Sequence, residues 1–229
     1  MPSLFVTATG TDIGKTFISS LMLRQLTAKG HTPFALKPVI SGFDAGNPTV
    51  SDTGILIKAM GKNLDAALIE RISPWRFREP ISPHLAAKAV FQTLKASTLA
   101  DYCRSEINQH TMTLVEGAGG LMAPLNDTET MRDWIAALRI PFVLVTGSYL
   151  GTFSHTLTAL EALKAKHLKP AGVIISQSAE SATPLPEIQA SLQHHIPEGC
   201  KIIAVPRISL DPDVNTLKDI PDLTVFFDL

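Results

Sequence analysis

Residues 6–17 read VTATGTDIGKTF and bring the tripeptide Gly-Lys-Thr to positions 14–16. This order follows the phosphate-loop pattern G-x-x-x-x-G-K-[ST], except that the first position of the pattern falls on Thr9, with Gly10 one place later. An apolar run at residues 4–6 precedes the stretch, and apolar residues at helical spacing follow it. A Gly-Lys-Thr that occurs by chance in a turn would not be expected to have both a strand before it and a helix after it. The stretch therefore predicts a phosphate-binding loop between a strand and a helix N-terminus, where backbone N–H groups face an anion.

Short apolar runs alternate with helix-period segments along the chain. The predicted strands are 3–7, 34–39, 112–116, 142–146, 172–176 and 201–205. Several of these runs are continuously apolar, as expected for strands buried on both faces of a parallel sheet. The predicted helices are 15–29, 53–60, 99–108, 130–138, 152–167 and 185–195. Together with the loop, this order predicts an α/β fold of the P-loop NTPase type, a doubly wound, mostly parallel sheet with helices on both faces.

Composition narrows the class of protein. The chain has 229 residues, a size that suits one large α/β domain over 1–229, and its net charge of −1 gives no reason to expect nucleic acid or an anionic membrane as partner. Cys103 and Cys200 have no metal-binding spacing and are expected to be reduced thiols. There is no signal-peptide pattern and no apolar run near the roughly 20 residues of a membrane span. We expect a cytoplasmic protein, with loops over a site in the less regular segment 44–82.

Further polar residues stand at the predicted strand ends, where ligands bind in open α/β sheets. In a phosphate loop, Lys15 reaches the β- and γ-phosphates and the Thr16 hydroxyl binds Mg²⁺. Lys37 ends the second strand, unless it is simply a solvated lysine, and Glu116 ends an apolar strand before several glycines. Asp52 precedes a helix and is expected to cap it, to bind metal or to do both. Thr16, Asp52 and Glu116 together offer the hard oxygen ligands that suit Mg²⁺.

Five stretches give the chain a resemblance to the dethiobiotin synthetase family. They are FVTATGTDIGKT at 5–16, KPVISG at 37–42, EPISPH at 79–84, VEGAGG at 115–120 and LGTFSH at 150–155. Ala8 replaces the first glycine of the family's loop, and the longer, shifted loop is that family's own form. The matches run from residue 5 to about residue 172, and their order and spacing are far more specific than Gly-Lys-Thr alone.

The resemblance implies an ATP- and Mg²⁺-dependent ligase of biotin biosynthesis. In the family, CO₂ (from bicarbonate) forms a carbamate on one amine of 7,8-diaminononanoate. The carbamate oxygen attacks the γ-phosphate of ATP, and the second amine then closes the cyclic urea of dethiobiotin. Lys15 would neutralise the γ-phosphate, and Lys37 would stabilise the carbamate and the developing phosphate charge. Thr11 and Ser41 would hold the carbamate or the diamine by hydrogen bonds.

The resemblance also implies a homodimer in which a loop and helix start bind the substrate carboxylate of the neighbouring subunit. The matching residues here are Gly151, Thr152, Phe153 and Ser154. A helix N-terminus is a reasonable carboxylate site on physical grounds as well. Nucleotide contacts are implied for Asp12, Ile13, Gly14, Lys15, Thr16, Phe17, Asp52, Glu116, Gly117, Ala118, Gly119, Ser176, Gln177, Pro206, Arg207 and Ile208.

Two positions depart from the family pattern. Ser154 replaces the usual asparagine of LG-x-x-NH, and Ser176 with Gln177 stands where an asparagine usually reads the nucleotide base. A serine hydroxyl cannot make the two-point contact that an amide makes with adenine. We therefore expect only a modest preference for ATP over CTP or GTP, with backbone near Pro206 providing what selection remains.

Three other classes share parts of this pattern. A partition-type switch ATPase predicts a lysine at position 10, where this chain has Gly10. A GTPase predicts an [NT]-K-x-D motif after a late strand, and none is present. A cobyric-acid-type amidotransferase needs an additional glutaminase domain with a nucleophilic cysteine, for which this chain has no room.

Overall fold

The computed structural model describes residues 1–181, 183–210, 212 and 214–227. Within them the strands are β1 Ser3–Ala8, β2 Phe34–Leu36, β3 Val39–Ser41, β4 Trp75–Phe77, β5 Thr113–Glu116, β6 Phe142–Thr146, β7 Gly172–Ser176 and β8 Lys201–Val205. The helices are α1 Lys15–Ala28, α2 Asp52–Ala59, α3 Ala66–Ile72, α4 Pro83–Ala89, α5 Ala96–Ile107, α6 Met131–Leu138, α7 Thr152–Lys164, α8 Leu185–Gln193 and α9 Val214–Lys218. Short 3₁₀ turns lie at Pro48–Val50 and Thr224–Phe226.

Six of these strands form a parallel sheet in the order β2-β5-β1-β6-β7-β8. The chain builds β2 and β5 on one side of β1 and then crosses to build β6, β7 and β8 on the other side. The carboxyl end of β1 is therefore the point at which the strand order reverses, which is where open α/β sheets bind their ligands. The loop at residues 9–14 leaves the sheet at this point.

Proline divides one predicted strand. The run 34–39 was expected as a single strand, but β2 ends at Leu36 and β3 begins at Val39 in a separate two-stranded sheet with β4. Pro38 has no N–H to give to a strand ladder, and the Lys37 N–H instead donates to the Ile72 carbonyl at 3.0 Å. The break turns the chain out of the main sheet just after Lys37. The Lys37 side chain therefore lies at the carboxyl ends of the parallel strands.

The other predicted elements are confirmed with shifts of a few residues at their ends. Strands β1, β5, β6 and β7 are almost entirely buried, as their continuously apolar sequences indicated. The segment 44–82 contains more regular structure than expected, because α2, α3, β4 and a 3₁₀ turn lie within it. These pieces, like α4 and α9, are too short to show a clear period in sequence.

The sheet and its helices enclose a large apolar core, and a small second cluster forms where Ile175 of β7 meets Ile188 and Leu192 of α8. Phe5 of β1 and Trp134 of α6 are both fully buried and meet edge to face, with ring centroids 4.9 Å apart. This contact packs α6 directly onto the strand that leads into the phosphate loop. None of the helices in the described part of the chain is both long and apolar enough to cross a membrane.

Candidate active site

The loop between β1 and α1 has the backbone shape of an anion cradle. Asp12 and Gly14 both have positive φ, 56° and 101° respectively, and α1 begins directly afterwards at Lys15. Alternation of this kind turns successive N–H groups towards one point, and the N-terminus of α1 adds its positive end. A Cβ on Gly14 would lie 2.5 Å from Oγ of Ser176, so no larger residue fits here. The predicted strand–loop–helix context is confirmed.

Lys15 is buried at the head of this loop. It is 7% exposed, and its ammonium donates to the Gly10 carbonyl at 3.2 Å. Burial, helped by the nearby charge of Lys37, lowers the Lys15 pKa to about 8, although neighbouring carboxylates oppose the shift. A partly desolvated cation is thus held where an anionic ligand would restore its full charge.

Lys37 lies in a cage of three acceptors. Its ammonium is 2.8 Å from Oε1 of Glu116, 2.8 Å from the Gly117 carbonyl and 3.1 Å from Oδ2 of Asp52. An ammonium has three N–H donors, so these contacts use all of them. Burial alone would lower the Lys37 pKa, but the carboxylates of Glu116 and Asp52 more than offset it and hold this pKa above its usual value. Lys37 is therefore a permanent buried cation, and the idea of a solvated lysine is wrong.

The three predicted metal ligands converge beside the loop. Thr16 donates its hydroxyl to Oε1 of Glu116 at 2.9 Å, and Asp52 is close enough to share the same hydrogen. Burial raises the Asp52 pKa, but Lys37 and then the Thr16 hydroxyl outweigh burial and leave it below its usual value. Glu116 is fully buried, and its Oε2 has no hydrogen-bond partner among the described residues. An ionised carboxylate, a hydroxyl and an orphaned carboxylate oxygen at one place fit Mg²⁺.

The local sequence explains how these oxygens are presented. Glu116 is the last residue of β5 and pairs with Val6 of β1, which puts the carboxylate beside the start of the phosphate loop. Asp52 is the first residue of α2, and the helix cap is Ser51, whose Oγ accepts from the Gly54 N–H at 3.1 Å. The expectation that Asp52 caps the helix is wrong, because Ser51 performs that role and leaves Asp52 free to face Lys37.

A cavity of about 750 Å³ opens above these groups. Its polar lining includes Thr11, Asp12, Lys15, Thr16, Lys37, Ser41 and Asp52. Its apolar lining includes Phe17, Ile40, Val50, Ile55, Pro80, Ile81, Pro83 and Leu210. Most of these apolar residues were not predicted from the sequence, although the EPISPH stretch contains three of them. A cavity with both kinds of lining can accommodate a phosphate chain and an aliphatic chain.

The predicted carboxylate loop lies outside this cavity. Gly151 has a φ of 97° and begins α7, whose first residue, Thr152, is buried. Thr152 donates its hydroxyl to the Gly147 carbonyl at 2.6 Å and its N–H to the Tyr149 carbonyl at 3.1 Å. Both donors of Thr152 are thus used within the turn, and its predicted contact with the substrate stays a prediction. Leu150, by contrast, is 97% exposed.

The fold brings the predicted base-reading residues to the ends of β7 and β8. Ser176 is buried, and its Oγ lies against Gly14 of the phosphate loop. Gln177 accepts the Arg207 N–H at 2.9 Å through its side-chain oxygen and so joins the end of β7 to the loop after β8. Pro206 and Ile208 flank this contact and are half-buried. In this arrangement the amide of Gln177 can offer a ligand its NH₂ group and one remaining lone pair of an oxygen that is already oriented by the Arg207 N–H.

Fold and loop together define a P-loop nucleotide-binding protein. The same fold is found in a ParA family ATPase from Chlorobium tepidum TLS (TM-score 0.54, 14% identity, 95% of this chain and 87% of that chain). It is also found in the MinD cell division protein of Aquifex aeolicus (TM-score 0.54, 10% identity, 99% and 94%). At these identities the likeness shows the fold alone.

Sequence comparison is more specific. A family model described as an AAA domain matches residues 2–215. ATP-dependent dethiobiotin synthetases of Acidiphilium cryptum (strain JF-5) and Caulobacter sp. (strain K31) are each 43% identical to this chain. The first alignment covers 86% of this chain and 89% of the relative, and the second covers 90% and 89%. The chain belongs to the ATP-dependent dethiobiotin synthetase family, a family of ligase-type enzymes of biotin biosynthesis.

Proposed function

We propose that this chain is a single-domain ligase that makes dethiobiotin from 7,8-diaminononanoate, CO₂ and ATP, releasing ADP and phosphate. Family membership supports the reaction. The observation that carries it in this chain is the buried Lys37, held between Glu116 and Asp52 in a cavity that is lined by both polar and apolar side chains. The substrate combines the same two characters, since two amines, one of which becomes the carbamate, stand on an alkyl chain that ends in a carboxylate.

The proposed chemistry has three balanced steps. One amine adds to CO₂ and loses a proton, which gives a carbamate. A carbamate oxygen then bonds to the γ-phosphorus as the bond to the β-phosphate oxygen breaks, which releases ADP and leaves a carbamic–phosphoric anhydride. Finally the second amine bonds to the carbamate carbon, phosphate departs with the bonding electrons, and a proton is lost to give the cyclic urea. Positioning and charge neutralisation dominate such a reaction.

Two lysines have distinct roles in this scheme. Lys15 lies at the head of the loop, and binding of the ATP phosphates would restore its charge. Lys37 cannot act as a base, because its three acceptors keep it protonated. It therefore stabilises negative charge as it develops on the carbamate and on the transferred phosphoryl group. The cavity-lining hydroxyls of Thr11 and Ser41 would orient the carbamate and the free amine.

A metal site is part of the proposal. Thr16, Asp52 and Glu116 would hold Mg²⁺, and the orphaned Oε2 of Glu116 is the atom that most needs such a partner. Bound there, Mg²⁺ would withdraw charge from the β- and γ-phosphate oxygens. Lys37 keeps the same two carboxylates ionised and oriented whether or not the ion is bound.

The substrate carboxylate is assigned to the N-terminus of α7 in a second copy of the chain. The N–H groups of Phe153 and Ser154 have no hydrogen-bond acceptor among the described residues, and they are free to bind an anion at the positive end of a 13-residue helix. Leu150 and Phe153 are exposed apolar residues beside this helix start, 97% and 37% respectively, which favours cover by another subunit.

Diamine-dependent turnover tests the proposal. Purified protein is incubated with ATP, Mg²⁺ and bicarbonate, with and without 7,8-diaminononanoate, and phosphate and dethiobiotin are both measured. We expect equal amounts of the two products and almost no phosphate without the diamine. Phosphate release that ignores the diamine, or that yields no dethiobiotin, would assign the chain to another P-loop activity.

A further inference from the structure

We propose that Thr146 is a positioning residue that holds the N-terminus of α7 in the shape needed to bind the substrate carboxylate. Thr146 is the last residue of β6, is fully buried and lies outside the cavity lining described above. It acts through other groups and touches no substrate itself. The inference rests on the proposed function, because the ligand in question is the carboxylate of the diamine.

A cluster of threonine hydroxyls surrounds Thr146. Its Oγ1 is 3.0 Å from Oγ1 of Thr152, 2.7 Å from Oγ1 of Thr156 and 3.5 Å from Oγ1 of Thr9. Thr152 and Thr156 belong to the first turns of α7, and Thr9 opens the phosphate loop. Thr146 is therefore the point where the last residue of a strand, the start of a helix and the loop that binds phosphate meet.

The number of hydroxyl hydrogens determines which threonine donates and which accepts. Each hydroxyl has one hydrogen, and that of Thr152 goes to the Gly147 carbonyl, 2.6 Å away. Oγ1 of Thr152 must therefore accept, and Thr146 is the donor to it. The hydrogen of Thr156 likewise goes to the Thr152 carbonyl at 2.7 Å, so Oγ1 of Thr156 also accepts, and the single hydrogen of Thr146 lies between Oγ1 of Thr156 at 2.7 Å and Oγ1 of Thr152 at 3.0 Å. The resulting hydroxyl chain runs from Thr146 to Thr152 and Thr156, and from these to the carbonyls of Gly147 and Thr152.

A pair of serines holds the same turn from its other side. The Ser148 N–H donates to Oγ of Ser178 at 3.0 Å, and the Ser178 N–H donates to Oγ of Ser148 at 2.9 Å. Gly147 lies between the two attachments, where a Cβ would fall within 2.7 Å of both Tyr149 and Ser178. Residues 147–152 are thus held at one end by Ser148 with the half-buried Ser178 and at the other end by the buried Thr152.

This arrangement leaves two N–H groups for a ligand. The donors of Thr152 are used internally, so the free N–H groups of α7 are those of Phe153 and Ser154. Their direction depends on the first turn of the helix, and that turn depends on the hydroxyl chain. Replacing Thr146 by valine keeps the shape but leaves Oγ1 of Thr152 as a buried acceptor without a donor, which destabilises this turn.

The test compares Thr146→Val with Thr146→Ser, which keeps the hydroxyl, and with Thr113→Val as a matched control. Thr113 is a fully buried strand threonine whose Oγ1 has no partner among the described residues. KM and kcat are measured for 7,8-diaminononanoate and for 2,3-diaminononane, which has a methyl group in place of the carboxylate. We expect Thr146→Val to raise KM for the diaminononanoate about tenfold and to leave KM for ATP within about twofold of wild type. The carboxylate-free diamine should be insensitive to the substitution, and Thr146→Ser should restore the wild-type KM.

Equal losses with both diamines, or an unchanged KM for the diaminononanoate, would overturn the positioning role. Hydrogen–deuterium exchange of the segment 147–156 gives a second readout that needs no turnover. We expect faster exchange there in Thr146→Val and no change in the first turn of α1, and the opposite pattern would also overturn the role. If wild-type protein turns over neither diamine, the proposed function fails, whereas the exchange measurement still decides whether Thr146 holds the turn.

Discussion

The Lys37 ammonium lies 2.8 Å from Oε1 of Glu116, with both side chains buried. A buried ion pair is weak support for stability, because desolvation of the two ions offsets much of their attraction. Its value in this molecule is the fixed positive charge beside the phosphate loop and the ionised carboxylate next to it. Loss of stability and loss of catalysis are therefore separable at this pair.

Lys37→Met alone should leave Glu116 as an uncompensated buried charge and destabilise the fold by about 3–5 kcal/mol. The double variant Lys37→Met/Glu116→Gln should recover most of that stability. Both variants should show kcat lower by about 10²-fold or more, because a charge that stabilises the transition state is gone. Urea unfolding and steady-state kinetics on the same preparations check this. Recovery of activity together with stability in the double variant would remove Lys37 from the chemistry.

Lys15 should make stability depend on pH. Its pKa is about 8 in the folded protein and about 10.5 when unfolded, so the unfolded chain binds more protons between these values. The free energy of unfolding contributed by Lys15 should therefore rise with pH from about 8 to about 10.5, by about 3 kcal/mol at most. Below pH 8 the penalty of burying the charged group is fully present.

The measurement for Lys15 is the difference in unfolding free energy between wild type and Lys15→Met at pH 7.5 and pH 10. The variant removes this titration and leaves the others in place. The difference should shift in favour of wild type at the higher pH. A difference that is the same at both pH values would show that Lys15 has an ordinary pKa.

Gly14→Ala should weaken ATP binding by the loop for two reasons, a steric contact and backbone strain, which a second substitution separates. The added Cβ would lie 2.5 Å from Oγ of Ser176, and a φ of 101° is unfavourable for any residue with a Cβ. Adding Ser176→Gly removes the contact but not the backbone strain, which is about 1–2 kcal/mol. We expect the double variant to regain part of the affinity for ATP lost in Gly14→Ala, measured by calorimetry. Full recovery would mean that the backbone conformation is unimportant.

Base preference should be modest. Ser176 has no amide and is buried next to Gly14, and the oxygen of Gln177 already accepts the Arg207 N–H, so a two-point contact between Gln177 and adenine would have to share that oxygen. A two-point contact of that kind is worth roughly 1–3 kcal/mol of discrimination. We expect kcat/KM for ATP to exceed that for CTP or GTP by less than about 10³-fold under saturating diamine and bicarbonate. A larger ratio would reveal a base reader elsewhere.

A site completed across a dimer interface predicts rescue between two inactive variants. In the proposed dimer each site combines Lys37 of one subunit with the α7 start of the other. Lys37→Met inactivates the first half of the site, and Gly151→Val disturbs the second half, because valine is strained at the φ of 97° found there. Only one of the two sites in a mixed dimer has both wild-type halves, so equal amounts of the two subunits should regain about one quarter of wild-type activity. Mixing Lys37→Met with Lys15→Met should regain nothing. A fully active monomer in light scattering would contradict the shared site.

Local pattern predicted much of this protein. The strand, the glycine-containing loop and the helix that follows are adjacent in sequence, and their φ requirements and hydrophobic periods are properties of neighbouring residues. The strand-end positions of Lys37 and Glu116 were also predictable, because parallel strands present their carboxyl ends at one edge. Pro38 follows the end of β2 and was a visible signal of a strand break, but the sequence prediction continued the strand to residue 39.

Local sequence patterns could not predict the contacts between segments that are distant along the chain. Lys37 and Glu116 are 79 residues apart, and their hydrogen bond depends on β2 and β5 lying side by side. Ser176 reaches Gly14 only because β7 lies two strands from β1 in the finished sheet. The hydroxyl chain through Thr146 had no sequence signal at all, since a threonine in a strand is ordinary. Its role exists only where burial removes water and each hydroxyl must find its partner within the protein.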